Sequence, residues 1–97
     1  MSYPTGGATA KNIATSTTTL VKTGSGLLFG LSVNTGGTGS TAAVHDGIDA
    51  SGPLIGTFST TAQGGPNIPN IGVSFKVGLC VLTADGGGAA NISVFYS

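Results

Sequence analysis

The chain has 97 residues, 18 of them Gly, and its formal charges are three lysines (Lys11, Lys22, Lys76) balanced by three aspartates (Asp46, Asp49, Asp85). That length fits one domain, and the zero net charge leaves no basic footprint for DNA or RNA. Clustered ionisable chemistry is equally scarce, while near-zero charge favours association with other protein surfaces.

No apolar run reaches the roughly 18 residues of a transmembrane helix, so no membrane partner is expected. Met1 to Gly7 lacks the basic start and apolar stretch of a signal peptide. Cys80 is the only cysteine, which excludes an internal disulfide and suits a reducing cytoplasm. Asn91-Ile92-Ser93 matches a glycosylation acceptor, but without a secretory signal it reads as chance.

Taken in chain order, residues 1–12 contain Pro4, Gly6 and Gly7 without periodic patterning and read as an N-terminal arm. Residues 13–97 read as one β-sandwich domain. Ala14 to Lys22 is Thr-rich and extended, as in an edge strand, and Thr23-Gly24-Ser25-Gly26 forms a turn. Leu27 to Val33 has period two, which places Leu27, Phe29, Leu31 and Val33 on one face. Asn34 to Ser40 is a loop. Thr41 to Asp46 is a short strand with Ala42 and Val44 inward. Asp46-Gly47 opens a turn that Asp49 to Pro53 extends.

Leu54 to Thr61 is the next strand, with Leu54 and Phe58 on one side. Gln63 to Asn70 carries two prolines and reads as a loop or edge. Ile71 to Phe75 is extended. Lys76 to Thr83 alternates, with Val77, Leu79 and Val81 on one face. Asp85 to Gly88 reads as a tight reversal, so the last two strands are expected to pair as a hairpin. Asn91 to Tyr96 closes the chain with Ile92, Val94 and Tyr96 inward. The sum is an all-β chain of about seven or eight short strands, an antiparallel β-sandwich or jelly roll without significant helix.

Chemistry has few places to reside. His45, the only histidine, adjoins Asp46, but neighbours on a strand face opposite ways and cannot form a relay. Asp46 is expected to cap the turn entered at Gly47. One Cys, one His and three Asp do not fill a zinc ligand set. Asp46 and Asp49 could share a calcium ion with loop carbonyls, but no EF-hand spacing is present, and solvated carboxylates are the simpler reading. Gly36 to Thr41 lacks the lysine of a phosphate loop and precedes a strand. Cys80 has no basic neighbour in sequence and reads as an inert thiol. No catalytic residue, metal or cofactor is therefore expected.

The aromatic residues sort by alternation. Phe29 and Phe58 fall on core faces, whereas Phe95 faces away from the Ile92–Val94–Tyr96 set. Phe95 and Tyr3, with Pro4 as an anchor beside it, are the candidate interface residues.

Val21-Lys22-Thr23-Gly24-Ser25-Gly26-Leu27-Leu28, continued by Gly30-Leu31-Ser32-Val33-Asn34-Thr35, resembles a family of small tailed-phage virion structural proteins. The Asp46-Gly47 turn, Phe75-Lys76-Val77-Gly78-Leu79-Cys80-Val81 and Ile92-Ser93-Val94-Phe95-Tyr96 extend the resemblance over roughly residues 15–97. Position 45 departs from it, since an aromatic such as Tyr would be more typical there than His45. The resemblance implies a β-sandwich capsid decoration (cement) protein. Such a protein is made in the bacterial cytoplasm and binds the major capsid protein outside the head as a homo-oligomer, often a trimer. A second reading is a module of a head fibre, tail or spike that binds a receptor or glycan.

Overall fold

The computed structural model describes residues 9–64 and 72–97. They form eight strands: β1 (Thr9–Ile13), β2 (Thr18–Thr23), β3 (Gly26–Thr35), β4 (Thr41–Asp46), β5 (Leu54–Ser59), β6 (Val73–Phe75), β7 (Gly78–Ala84) and β8 (Asn91–Tyr96). Among the described residues no segment is helical, and no helix could cross a membrane. That absence follows from composition. Gly and β-branched residues dominate, and the straight-chain helix formers are few.

The strands make two four-stranded antiparallel sheets. The first has the order β1-β8-β3-β6 and the second β2-β7-β4-β5. The sheets bury one shared core. Ile13, Leu28, Leu31, Val33, Phe75, Ile92 and Val94 come from the first, and Ala42, Val44, Leu79 and Val81 from the second. Alternation therefore places Leu31, Val33, Ala42, Val44, Leu79, Val81, Ile92 and Val94 correctly. Tyr96 packs against the same core.

Three expectations fail, each for a local reason. In β3 the register shifts between Leu28 and Gly30. The extra residue there is Phe29, and a bulge of this kind reverses the alternation that precedes it. Leu28 is consequently fully buried and Leu27 exposed, while Phe29 is half-buried outside the core. A second shift, between Val44 and His45 of β4, does the same to β5. Ile55 packs on the core beside Phe58, and Leu54 is exposed. Val77 also departs from its alternating run, because β7 begins only at Gly78.

The expected β7–β8 hairpin does not form either. These strands belong to different sheets, and β8 lies between β1 and β3. The loop after Asp85 is a crossover, held by Gly86 donating its N–H to the Thr38 carbonyl at 2.8 Å and Thr38 donating to the Gly88 carbonyl at 2.9 Å.

The arm expected over 1–12 is shorter at its inner end. Thr9 to Asn12 pair with Ser93 to Tyr96 as part of edge strand β1. Residues 1–8 lie outside the described residues.

Candidate interaction surface

The strand directions give the sandwich two unlike ends. At one, here called the turn end, lie the β2–β3 turn (24–25), the β4–β5 loop (47–53), the β6–β7 turn (76–77) and the start of β1. At the other, the loop end, lie residues 14–17, 36–40, 60–64 and 85–90.

The turn end is built on backbone proximity. Gly24 has φ +94°, a conformation that favours glycine, and it donates its N–H to the Val77 carbonyl at 2.8 Å. Gly78 sits where a Cβ would meet the carbonyl oxygens of Gly47 at 2.8 Å and Lys22 at 2.9 Å. Both are main-chain atoms, so no side chain can be accommodated there without moving a strand.

Asp46 ties this end together. Its carboxylate accepts N–H bonds from Lys76 (2.9 and 3.0 Å) and Val77 (2.8 Å), with a longer one from Gly78 (3.4 Å). These N–H groups, Val77 first and then Lys76, hold its carboxyl below the usual aspartate range. Asp46 thus caps the corner where the chain passes from the first sheet to the second. The expected cap was its own turn. That turn is held instead by Asp49, whose carboxylate accepts from the Ser51 N–H at 2.9 Å and from its hydroxyl. The same two bonds, hydroxyl first, lower the Asp49 carboxyl.

His45 closes the loop from the other side. A carbonyl only accepts, so Nδ1 carries the proton and donates to Gly52 O at 2.9 Å. The side chains of His45, Asp46 and Asp49 thereby all serve loop geometry. Among the described residues no three His, Cys, Asp or Glu side chains gather to hold a metal ion. Cys80 is the cross-strand neighbour of His45, but it is fully buried. Burial, and then the charge of Asp49, raise its thiol pKa, which is the wrong direction for a nucleophile.

Exposed apolar side chains mark the same end. The large ones are Ile48 (59% exposed), Leu54 (58%), Val77 (55%), Leu20 (46%) and Leu27 (38%). Ile48 and Val77 lie on turns that are bonded together through Asp46 and through Gly47 N–H to Gly78 O at 3.0 Å. Leu54 and Leu27 begin or nearly begin their strands at this end. Leu20 and Leu54 end a cross-strand row, Leu20–Cys80–His45–Leu54, on the outer face of the second sheet. Ile48 and Val77 thus lie on the turns themselves, with Leu54, Leu20 and Leu27 on the adjoining outer faces; exposed apolar groups gathered on a small domain suit a contact surface.

Among the described residues the loop end is polar. Ser40 and Thr60 are buried with their hydroxyls 2.8 Å apart. Thr83 Oγ1 donates toward the Thr15 and Thr17 carbonyls and accepts from the Thr17 N–H at 2.9 Å. Ser16 donates its hydroxyl to Asp85. The outer face of the first sheet continues this character. Asn91 Oδ1 accepts from both Asn12 Nδ2 (2.6 Å) and Asn34 Nδ2 (3.1 Å).

Of the sequence-based interface residues, Phe95 lies on that outer face, half-buried, with Ala10 and Gly30 beside it in register. Tyr3 and Pro4 lie outside the described residues. The exposed apolar residues of the turn end were missed. Alternation gives Leu27, Leu54 and Val77 to the core. Ile48 carried a readable signal, a large apolar side chain set among turn-forming residues in Asp46-Gly47-Ile48-Asp49.

No family model, curated protein or solved structure matches this chain.

Proposed function

We propose that this protein is a non-enzymatic virion structural protein, a capsid decoration (cement) protein that binds the outside of a phage head as an oligomer. The observation that carries the reading is the turn end: among the described residues, the five large exposed apolar side chains lie on its turns or on the strand faces adjoining it, in a chain whose six charges cancel. Such a surface suits permanent contact with protein. It offers nothing to nucleic acid, which needs a basic stripe.

The strand order supports the same reading. First strand beside last, third beside sixth, second beside seventh and fourth beside fifth is how we read a jelly roll, an architecture of viral capsid and lectin domains. Fold alone does not choose between those uses. Glycan binding commonly relies on exposed aromatic rings, and none is among the exposed large apolar side chains of the described residues. The decoration role is therefore preferred to a glycan-binding fibre module.

In this role the partners are the major capsid protein and further copies of the chain, with a trimer as the expected assembly. Cyclic symmetry buries one apolar patch repeatedly around an axis. Tyr3, Pro4 and Phe95 are proposed to add to these contacts. Attachment should resist salt, because an apolar contact is not screened as an ionic one is over about 8–10 Å.

The test is a reconstruction of particles that carry this chain. Hundreds of copies on the outer head surface are expected. A few copies confined to a vertex or tail would move the assignment to the fibre module, and absence from the particle would end both.

A further inference from the structure

We infer that the apolar turn end of one copy is the seat for residues 1–8 of a neighbouring copy. This rests on the oligomeric reading above and names the surfaces that would make the oligomer.

Three observations converge. The first is where the large exposed apolar side chains of the described residues lie: Ile48 and Val77 on the bonded turns, Leu54 and Leu27 at or near their strand starts, and Leu20 on the adjoining outer face. A standard interface needs about 800 Å² from each partner, more than five half-exposed side chains supply. A second element must add area.

The second observation is where residues 1–8 join the domain. Thr9 opens β1 opposite Tyr96, and Ser97 exchanges main-chain hydrogen bonds with Leu27 at 2.8 and 3.2 Å. The preceding chain therefore enters at the turn end. β1 runs from the turn end toward the loop end, so a chain continuing its line backwards points away from its own sandwich. Eight residues reach up to about 26–29 Å, and Tyr3 up to about 20 Å, beyond Thr9. That reach is long enough to meet a second copy whose turn end lies within it.

The third observation is chemical match. Residues 1–8, Met-Ser-Tyr-Pro-Thr-Gly-Gly-Ala, contain no charged side chain and two large apolar ones, Met1 and Tyr3. Gly6 and Gly7 let the backbone lie close to a surface, and Pro4 restricts the chain at the residue next to Tyr3. A head-to-tail contact of this kind closes into a ring when the rotation permits.

The experiment uses cysteine pairs placed in separate chains. Cys80→Ala removes the native thiol; where that lowers yield, Cys80 is retained, since it is fully buried. Tyr3→Cys protein, carrying a mass label, is mixed with Val77→Cys protein and oxidised mildly. A mixed disulfide dimer is expected at several times the yield given by Tyr3→Cys with Thr38→Cys, whose new thiol is at the loop end. Equal yields from the two mixtures would overturn the inference. So would a Tyr3→Cys/Val77→Cys double variant that closes its disulfide within one chain.

The native mass of the intact protein separates the two levels. An oligomer without preferred cross-linking removes the proposed seat and leaves the oligomeric reading standing. A monomer at high micromolar concentration that also fails to cross-link overturns the seat and counts against the oligomer. Removal of residues 1–8 is expected to lower the oligomer mass while leaving the β-sheet circular dichroism unchanged.

Discussion

The two ends of the sandwich are made from the same palette of Gly, Ser, Thr and small apolar residues, yet they solve different problems. The loop end satisfies itself. Its hydroxyls and main-chain groups bond to one another, as in Ser40–Thr60, Thr17–Thr83 and Thr38–Gly88. The turn end is also tightly bonded, through Asp46 to the 76–78 corner, but it leaves its large apolar side chains in solvent. Both ends are thus tied by hydrogen bonds, but among the described residues the large exposed apolar side chains lie only toward the turn end. A surface held rigid yet left apolar has its ordering cost already met, which favours binding.

The largest effects are expected where a change breaks the frame that both ends share. Gly78→Val should be the most damaging, because its side chain meets two main-chain carbonyls, of Lys22 in β2 and of Gly47 in the loop after β4. Overpacking costs typically about 1–3 kcal/mol and can exceed that where backbone must shift. Loss of the cooperative melting transition, or a fall in its midpoint beyond that of any core truncation below, is the expected readout. A near-native melt would show that strands β2 and β4 have slack at this corner.

Core truncation comes next and tests the β3 bulge. Leu28→Ala should cost about 2–5 kcal/mol, since Leu28 is fully buried. Phe29→Ala should cost clearly less, although alternation alone ranks Phe29 as core and Leu28 as surface. Urea unfolding of the two variants decides it, and the opposite ranking would place the bulge elsewhere.

Acid should weaken the turn end first. Asp46 has a lower pKa folded than unfolded, so its contribution is fully present above about 4, the ordinary aspartate value. It is lost as pH falls through the lowered folded value, because the unfolded chain then binds more protons. Asp49 has the same sign. Asp46→Asn should therefore flatten, without abolishing, the acid side of a melting-temperature profile. An unchanged profile would mean that Asp46 titrates alike in the folded and unfolded chain, against the capping described.

At the loop end the smallest loss is expected. Thr60→Val leaves the Ser40 hydroxyl without its partner, at a cost of about 1–3 kcal/mol if no water replaces it. The oligomeric state should not change, and a change would contradict the division between the two ends.

How much of this was legible in the sequence depends on whether a strand keeps its phase. β4, β7 and β8 do, so Ala42, Val44, Leu79, Val81, Ile92 and Val94 could be placed by counting in twos. β3 and β5 do not. A bulge inserts one residue without any obligatory sequence mark, so Leu27, Phe29 and Leu54 were assigned to the wrong faces. Turn chemistry located the reversals at 23–26, 46–53 and 85–88. It could not tell that the last of these crosses between sheets, because pairing partners are set by packing and not by the turn. The acceptor role of Asp46 was readable, but its donors, 30–32 residues away, were not. The apolar turn end follows from these same failures, since alternation counts three of its members, Leu27, Leu54 and Val77, as core.

The most direct test of an interacting end and a self-contained end is one charge placed at each. Val77→Asp and Thr38→Asp both put a carboxylate on an exposed turn or loop residue, and a melting curve for each establishes that the variant is folded. The native mass of each variant, measured by light scattering beside the unaltered protein, then reports association alone. The account predicts that Thr38→Asp keeps the oligomer and Val77→Asp dissociates it to folded monomers. An oligomer that survives Val77→Asp but is lost in Thr38→Asp would contradict it.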